Sequence, residues 1–161
     1  MPSAPDLPPG PTDQDWRTLI KDIFENKLPF NRLLGIEVLK LDEGSPHLGI
    51  KMREALVGNY MRGSLHGGVI SAVIDVTGGL AAFLSLNQKI ENEPLQVKID
   101  RFSKLGTIDL RIDYLRPGLG RRFVSIGHVL RTGNRVAVTR IEFKNDDNQL
   151  IAVGTGAYVI A

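Results

Sequence analysis

The sequence predicts an α+β protein in which a curved antiparallel β-sheet wraps around one long central helix. Residues 69–86 are almost all apolar or small on every side of a helical period, so a helix here would be buried on all its faces. Four segments after residue 105 have strand character, and a hairpin precedes the helix. Strands gathered around one helix give this architecture, because a curved sheet can cover most of the helix surface.

Composition limits the domain organisation and the partners. A chain of 161 residues that is 42% hydrophobic is long enough for one domain with a sizeable core. The prolines crowded into residues 1–11 predict a disordered tail, which leaves residues 12–161 as the domain. A net charge of +2 gives no reason to expect a nucleic-acid partner, and Asp75 interrupts the longest apolar stretch, so no membrane partner is expected. A cytoplasmic protein is the expectation, and the lack of cysteine excludes a thiol nucleophile.

Two helices and a hairpin are predicted ahead of the central helix. An apolar stripe predicts a first helix over residues 15–26 that ends before Pro29, and residues 30–34 are expected to form one more helical turn. Residues 34–41 and 47–52 have strand character on either side of a turn-forming segment, so they predict a hairpin.

The chain after the central helix is predicted to be mostly strand. Residues 87–105 are polar and irregular, which is typical of an excursion with a short helix or of a mobile flap. Strict alternation over residues 106–116 predicts a half-buried strand with Ile108 on its core face and Thr107 on the opposite face. The last four strands are predicted to form a meander, at about residues 106–116, 122–131, 135–145 and 149–160.

A single carboxylate, Asp75, lies within the apolar helix. An unpaired buried carboxylate costs several kcal/mol, so Asp75 either has structural partners or takes part in chemistry. His66 precedes the helix and is flanked by glycines, which leave the first backbone N–H groups open to an anion. Nine positions of helix place His66 and Asp75 on roughly opposite faces, about 13 Å apart. We therefore expect any site that uses both to combine two copies of the chain in a symmetric dimer.

These residue types suit acyl transfer to water. Asp75 could serve as base or nucleophile, Asn59 could place the water or the carbonyl, and the N–H of Gly67 or Gly68 could stabilise an oxyanion. The alternative is that Asp75 is a satisfied structural acid and His66 only a helix cap. A serine hydrolase, a metal site and a dinucleotide fold are disfavoured, because no G-x-S-x-G, H-E-x-x-H or strand–G-x-G-x-x-G–helix pattern is present.

A basic turn later in the chain is a candidate anion site. Arg131 and Arg135 flank Gly133 and Asn134, so two guanidinium groups lie beside backbone donors in the sequence. Arg116 is a further basic candidate, and each of these arginines could equally belong to a solvated face.

Three segments carry a family resemblance: L-H-G-G-V-I-S-A-V-I-D-V, G-T-I-D-L-R-I-D-Y-L-R-P-G and R-T-G-N-R-V-A-V. They resemble the PaaI-like branch of the hotdog-fold acyl-CoA thioesterases. Together with F-N-R-L-L-G-I-E-V and V-G-N-Y, they are most similar to the bacterial medium- and long-chain enzymes of the YigI type. The resemblance implies a hotdog fold, a homodimer that assembles to a homotetramer, and hydrolysis of a fatty acyl-CoA with no cofactor and no metal.

The resemblance also implies roles for individual residues. Asp75 would be the catalytic carboxylate, His66 and the Gly67 N–H of the other subunit would polarise the thioester carbonyl, and Asn59 would orient the water. Thr107 matches a position with a hydroxyl near the nucleophile, although alternation turns it away from the core. CoA would be held outside by the turn from Arg131 to Arg135, together with Gly68 and Arg116. A hotdog dehydratase or hydratase and a non-catalytic acyl-CoA sensor are the alternative functions.

Overall fold

The computed structural model describes residues 13–42 and 44–160, so the tail predicted for residues 1–11 lies outside the described residues. The helices are α1 (Asp13–Asp22), α2 (Pro29–Leu34), α3 (Gly67–Lys89) and α4 (Leu95–Ser103), with a π-helical turn at Ile23–Lys27 and a 3-10 turn at Glu54–Leu56. The strands are β1 (Glu37–Lys40), β2 (His47–Lys51), β3 (Val57–Asn59), β4 (Ser64–Leu65), β5 (Gly106–Tyr114), β6 (Arg122–Thr132), β7 (Val136–Asn145) and β8 (Leu150–Val159).

Six antiparallel strands form one sheet in the order β1-β2-β6-β7-β8-β5, and β3 pairs with β4 in a separate short ribbon. The sheet curves around α3, which contacts β2, β5, β6, β7 and β8. The predicted α+β architecture and the predicted central helix are confirmed.

Helix α3 is buried along most of its length, because apolar and small side chains cover nearly its whole surface. Its one buried hydroxyl in the middle turns is satisfied: Thr77 Oγ1 lies 2.7 Å from the Val73 carbonyl and 2.8 Å from Ser125 Oγ on β6. Helix α3 is also the one described helix long and apolar enough to cross a membrane, but 72% of its apolar window is buried inside the protein. It is the core helix of the fold.

The predicted meander of four strands is wrong, because β5 pairs with β8 and lies at the far edge of the sheet. The connection from β5 to β6 crosses the end of the β7–β8 hairpin and is fixed there by backbone hydrogen bonds. Leu115 and Arg116 donate to the Ile151 carbonyl, and the Gly118 carbonyl accepts from Leu65 ahead of α3. Alternation predicts a strand but not its neighbour, so this crossover was not visible in the sequence.

A β-bulge at Ile108 reverses the predicted facing of the first residues of β5. Thr107 pairs with Tyr158 and Asp109 with Ala157, so Ile108 has no partner on β8. Ile108 is 54% exposed, and Thr107 faces α3 instead. The predicted placement of Ile108 in the core and Thr107 on the outer face is therefore wrong, while Leu110 and Ile112 pack against the core as predicted.

The predicted first helix is divided differently in the structure. Helix α1 ends at Asp22, the π-helical turn follows, and Pro29 begins α2 instead of only ending a helix. Proline suits the first helical position because its missing N–H has no partner there in any case. The predicted hairpin is confirmed as β1 and β2, and residues 87–105 contain the short helix α4.

Candidate active site

Asp75 lies in the middle of α3 and accepts a hydrogen bond from Thr107. The Thr107 Oγ1 atom is 2.9 Å from Asp75 Oδ1, and the bulge at Ile108 is what turns that hydroxyl toward the helix. A hydroxyl that donates to a carboxylate fixes the orientation of the carboxylate. The sequence prediction that Thr107 lies near Asp75 holds, although strand alternation argued against it.

Tyr158 holds the backbone of the same helical turn. Its hydroxyl donates to the Asp75 carbonyl oxygen at 3.1 Å, and its ring is 1% exposed. Burial, followed by the nearby Asp75 charge, raises the pKa of Tyr158 far above its ordinary value, so the phenol stays neutral. Tyr158 is thus a fixed donor that ties β8 to α3 beside the carboxylate.

A cavity of about 330 Å³ opens beside Asp75 and Thr107. Its walls come from α3, β8, the π-helical turn and the segment from α4 to β5. They are mostly apolar, and the lining residues are Phe24, Leu28, Asp75, Val76, Gly79, Leu80, Phe102, Ser103, Leu105, Gly106, Thr107 and Tyr158. An apolar cavity with a few polar groups at one side is the usual form of a small-molecule site.

His66 caps the N-terminus of α3. Its Nδ1 accepts a hydrogen bond of 2.8 Å from the Gly68 N–H, and its own N–H donates to the Leu56 carbonyl at 2.9 Å. Because Nδ1 is the acceptor, the neutral ring carries its proton on Nε2. The exposed His66 ring is therefore arranged to donate a hydrogen bond outward from Nε2.

The Gly67 N–H is the free donor of this helix end. Val69 and Ile70 donate to the His66 carbonyl and Gly68 donates to the His66 ring, whereas the Gly67 N–H finds no acceptor among the described residues. The helix dipole adds positive potential at this point. Of the two predicted oxyanion donors, Gly67 is available and Gly68 is already used by the cap.

Asn59 lies on the short ribbon that leads to His66. A bulge at Gly58 lets Asn59 pair with Ser64, and the Asn59 Oδ1 accepts from the N–H groups of Met61 and Arg62 at 3.1 and 3.2 Å. The side-chain carbonyl of Asn59 is thus occupied by its own turn. Within one copy of the chain, Asn59 belongs with His66 and not with Asp75.

One copy of the chain does not bring the two halves of the predicted site together. The cavity beside Asp75 has neither His66 nor Gly67 among its described lining residues. Gly67 lines a second cavity of about 370 Å³ with Ser64, Tyr114 and Arg116. The Tyr114 hydroxyl donates to the Gly67 carbonyl at 3.0 Å, so the end of β5 is attached to the start of α3.

The basic residues predicted to bind CoA also fall into two groups. Arg116 lines the second cavity near the start of α3, and its Nη1 donates to the Leu150 carbonyl at 2.8 Å. The turn from Arg131 to Arg135 lies at the other end of α3, where Lys89 Nζ donates to the Thr132 carbonyl at 2.6 Å. These ends are about 33 Å apart along the helix. The two groups therefore cannot hold the same phosphate in one protomer.

Two details of the basic turn bear on anion binding. The Gly133 N–H donates to the Val136 carbonyl at 2.8 Å and so is not free for a phosphate. Arg131, Asn134 and Arg135 are exposed, so the charges themselves remain accessible. Among the residues that the structure describes, no cluster of three His, Asp or Glu side chains could hold a metal ion.

Comparison with known proteins decides the family. The family model described as the thioesterase superfamily matches residues 62–152, which include α3, β5, β6 and β7. The chain belongs to the thioesterase superfamily. The medium/long-chain acyl-CoA thioesterases YigI of Salmonella typhimurium and of Escherichia coli strain K12 are each 40% identical to this thioesterase over 145 residues, covering 88% of this chain and 92% of theirs.

Solved structures agree with this assignment. A crystal structure of a Shewanella oneidensis protein related to the thioesterase superfamily matches with a TM-score of 0.89 and 38% identity, covering 95% of this chain and all of that chain. A crystal structure from Syntrophus aciditrophicus matches with a TM-score of 0.83 and 43% identity over 92% of this chain and 97% of that one. The predicted resemblance, the hotdog fold and the thioesterase class are confirmed.

Sequence reasoning missed the tyrosine and two of the glycines that shape this thioesterase site. Alternation predicts Tyr158 only as part of a strand and gives Gly58 no role, yet a Cβ on Gly58 would lie 2.6 Å from His66 Cα. The sequence does hold a signal for Tyr158. Glycines inside an apolar helix usually mark a close neighbour, and Gly78 and Gly79 lie against the Tyr158 ring.

Proposed function

We propose that this thioesterase hydrolyses medium- and long-chain fatty acyl-CoA to free fatty acid and CoA, with Asp75 as the catalytic carboxylate. The observation that carries the proposal is the apolar cavity that ends at a carboxylate oriented by Thr107. The names of the 40% identical relatives support the substrate class. Such a cavity suits an acyl chain, because its walls are apolar except beside the group that would act on the thioester.

The chemistry needs one carboxylate and one water, with the carboxylate acting either as a base or as a nucleophile. As a base, Asp75 takes a proton from water while the water oxygen attacks the thioester carbonyl carbon. The C–S bond then breaks, the acid is released, and the CoA thiolate takes up a proton. As a nucleophile, Asp75 attacks the thioester carbonyl carbon, the C–S bond breaks and the CoA thiolate leaves and takes up a proton. Water then hydrolyses the resulting anhydride to the free acid and the Asp75 carboxylate. Both routes need a donor for the oxyanion on the thioester carbonyl.

We propose that a second copy of the chain supplies that donor. Strand β5 is an edge strand, and its two ends contact different parts of α3: Thr107 contacts Asp75, and Tyr114 contacts Gly67. Antiparallel pairing of two β5 strands about a two-fold axis near Leu110 would place the Thr107 end of one against the Tyr114 end of the other. The Gly67 N–H and the His66 Nε2–H of one copy would then face Asp75 of the other.

The same arrangement suggests where CoA lies. The cavity that contains Gly67 and Arg116 would adjoin the partner's Asp75, so the acyl chain would occupy one cavity and the pantetheine arm the other. Arg116 is then the cation nearest the thioester, and the turn from Arg131 to Arg135 is more distant. We expect Arg116→Gln to raise KM for acyl-CoA but not for an acyl N-acetylcysteamine thioester, which lacks the phosphates. An Arg131→Gln/Arg135→Gln variant tests the more distant group in the same assay.

A chain-length series of acyl-CoA substrates with thiol detection tests the reaction. We expect thiol release in the wild type and a loss of a hundredfold or more in kcat in Asp75→Asn, with substrate binding retained. Full activity in Asp75→Asn would reject Asp75 as the catalytic group. Formation of an enoyl thioester without thiol release would indicate the dehydratase, and tight binding with no reaction in the wild type would indicate the sensor.

Subunit mixing tests the shared site. His66→Ala and Asp75→Ala are each expected to be inactive alone, because each removes one half of every site. In a mixed dimer, one of the two sites would keep both His66 and Asp75, so about a quarter to a half of the wild-type activity should return. Purified heterodimers with no activity would contradict a site shared between subunits.

Three further proposals concern organisation. We propose that residues 12–161 act as one domain, that two dimers associate into a tetramer, and that the enzyme works in the cytoplasm. Light scattering on the purified full chain tests the assembly, and fractionation of cells that express a tagged chain tests the location.

A further inference from the structure

The cavity beside Asp75 has a polar end and an apolar end. Asp75 and Thr107 mark the polar end, where they are hydrogen bonded to each other. Among the other lining residues the polar side-chain atoms are already used: the Tyr158 hydroxyl donates to the Asp75 carbonyl, and Ser103 Oγ donates to the Asp100 carbonyl. A substrate in this cavity would therefore place its reacting group at Asp75 and an apolar chain beyond it.

The apolar end follows α3 toward its C-terminus. Asp75 and Gly79 are one turn apart on the cavity face, and Val76 and Leu80 form a second such row beside them. One turn further on, Phe83 is fully buried and no longer lines the cavity. The lining of the cavity on α3 therefore runs from Asp75 to Leu80, and Phe83 lies beyond its end.

An aromatic cluster closes this end. Phe102 of α4 lies with its ring centroid 5.0 Å from that of Phe83 and 6.0 Å from that of Phe24, both in edge-on geometry. Trp16 of α1 extends the cluster, with its ring 5.8 Å from Phe83. Of these four aromatic residues, Phe102 is the one that lies on α4, and its side chain lines the cavity.

We infer that Phe102 sets the longest acyl chain that the enzyme accepts, an inference that rests on the function proposed above. From Asp75 to Phe83 the helix rises about 12 Å. An extended chain advances about 1.2 Å per bond, so about ten bonds fit before the chain meets the Phe102 ring. Longer chains must displace Phe102 and with it the contact between α4 and α3.

Gly79 limits the width of the same path. A Cβ on Gly79 would lie 3.6 Å from Tyr158 Cε1 and 3.8 Å from Leu105 Cδ2, which is ordinary contact. Alanine therefore fits at position 79 without moving its neighbours, but its methyl group takes space next to Asp75. Phe102 and Gly79 thus allow opposite tests, one that lengthens the cavity and one that narrows it.

The test compares kcat/KM for tetradecanoyl-CoA and decanoyl-CoA in full-length variants. We expect Phe102→Ala to raise the ratio of the two values by a factor of about ten or more, because burying even one of the four extra methylenes of tetradecanoyl-CoA in an apolar pocket changes kcat/KM by that much. Phe102→Leu should give a smaller rise, and Gly79→Ala should lower kcat/KM for both substrates, because both chains pass position 79. Phe30→Ala on α2 removes the same ring from an exposed position and should leave the ratio unchanged.

The outcomes separate this inference from the proposed function. If the wild type hydrolyses acyl-CoA but the ratio is unchanged in Phe102→Ala and Phe102→Leu, the role of Phe102 is wrong and the proposed function stands. If the wild type hydrolyses no acyl-CoA of any length, both are wrong. Thermal unfolding of each variant shows whether it is folded, and Phe102→Leu decides the question if Phe102→Ala does not fold.

Discussion

The Tyr158 hydroxyl occupies the space that a side chain on Gly78 would need. A Cβ at position 78 would overlap the hydroxyl oxygen and would lie 2.8 Å from Tyr158 Cζ and 2.9 Å from Thr139 Oγ1. On the other side of the ring, a Cβ on Gly156 would lie 2.7 Å from Tyr158 Cε2. Two glycines therefore make room for the phenol that holds the Asp75 carbonyl, and this explains a glycine in the middle of a buried helix.

The two adjacent glycines of α3 should respond differently to alanine. The new Cβ of Gly78→Ala pushes the side chains of Tyr158 and Thr139 away from α3. Such overpacking typically costs about 1–3 kcal/mol of folding free energy. Gly79→Ala has ordinary contacts and gains helix propensity, so it should leave stability unchanged or raise it by up to about 1 kcal/mol. Urea denaturation of both variants measures the difference. Equal stability of the two would contradict the packing of Tyr158 against Gly78.

Tyr158 should make stability fall in alkaline solution. Its pKa is raised by burial and by the Asp75 charge, so above pH 10 the unfolded chain releases a phenolic proton that the folded chain keeps. The folded state then binds more protons, and the free energy of unfolding falls by up to about 1.4 kcal/mol per pH unit from this group. In Tyr158→Phe, the free energy of unfolding should fall less steeply with rising pH. In Tyr60→Phe, at a position 87% exposed, it should fall as in the wild type. Urea denaturation between pH 8 and pH 11 tests this.

Loss of the Thr107 hydroxyl should lower turnover. Thr107→Val keeps the shape but leaves the Asp75 carboxylate without its donor, and a hydrogen bond to a charged group is worth about 1.5–3 kcal/mol. We expect kcat to fall about tenfold or more, while Thr107→Ser retains most of it. Steady-state kinetics with one acyl-CoA measures both. If Thr107→Val matches the wild type, the hydroxyl does not act on the carboxylate during the reaction.

Gly58 should be required for the position of His66. A Cβ on Gly58 would lie 2.6 Å from His66 Cα and 3.0 Å from its Cδ2, so Gly58→Ala must displace the histidine and the start of α3. We expect a loss of about tenfold or more in kcat, since donors must lie within a few tenths of an ångström of the developing oxyanion. Gly44→Ala is the control, because a Cβ at position 44 would contact nothing within 4 Å. Similar kcat values for the two variants would show that the placement of His66 is not limiting.

The parts of the fold that depend on local pattern were predictable. The apolar run of α3, the hairpin of β1 and β2, and the existence of β5 to β8 all follow from the periodicity of side chains along the chain. The neighbour of β5 in the sheet does not follow from this periodicity. Strand order depends on the backbone hydrogen bonds of the crossover and on the packing of Gly118 against Leu65. Such contacts join residues far apart in the sequence and leave no local pattern.

The site was predictable in its residue types and only partly in its geometry. Asp75 stands out because a carboxylate in an apolar helix is costly, and His66 stands out because glycines surround it. The side on which Thr107 lies depends on a bulge of one residue, which alternation cannot show. The use of the Gly68 N–H by the His66 ring depends on a rotamer that only the structure fixes.

Helix α4 has no buried residue, although Phe102 from this helix forms part of a cavity wall. Substitutions of the exposed residues of α4 usually change folding free energy by less than about 0.5 kcal/mol, far less than changes within α3, whereas Phe102 contacts the core at Phe83. Natural selection can thus vary this short segment from lineage to lineage at little risk to folding. For an enzyme engineer, the same property makes α4 the first place to exchange when a different substrate range is wanted.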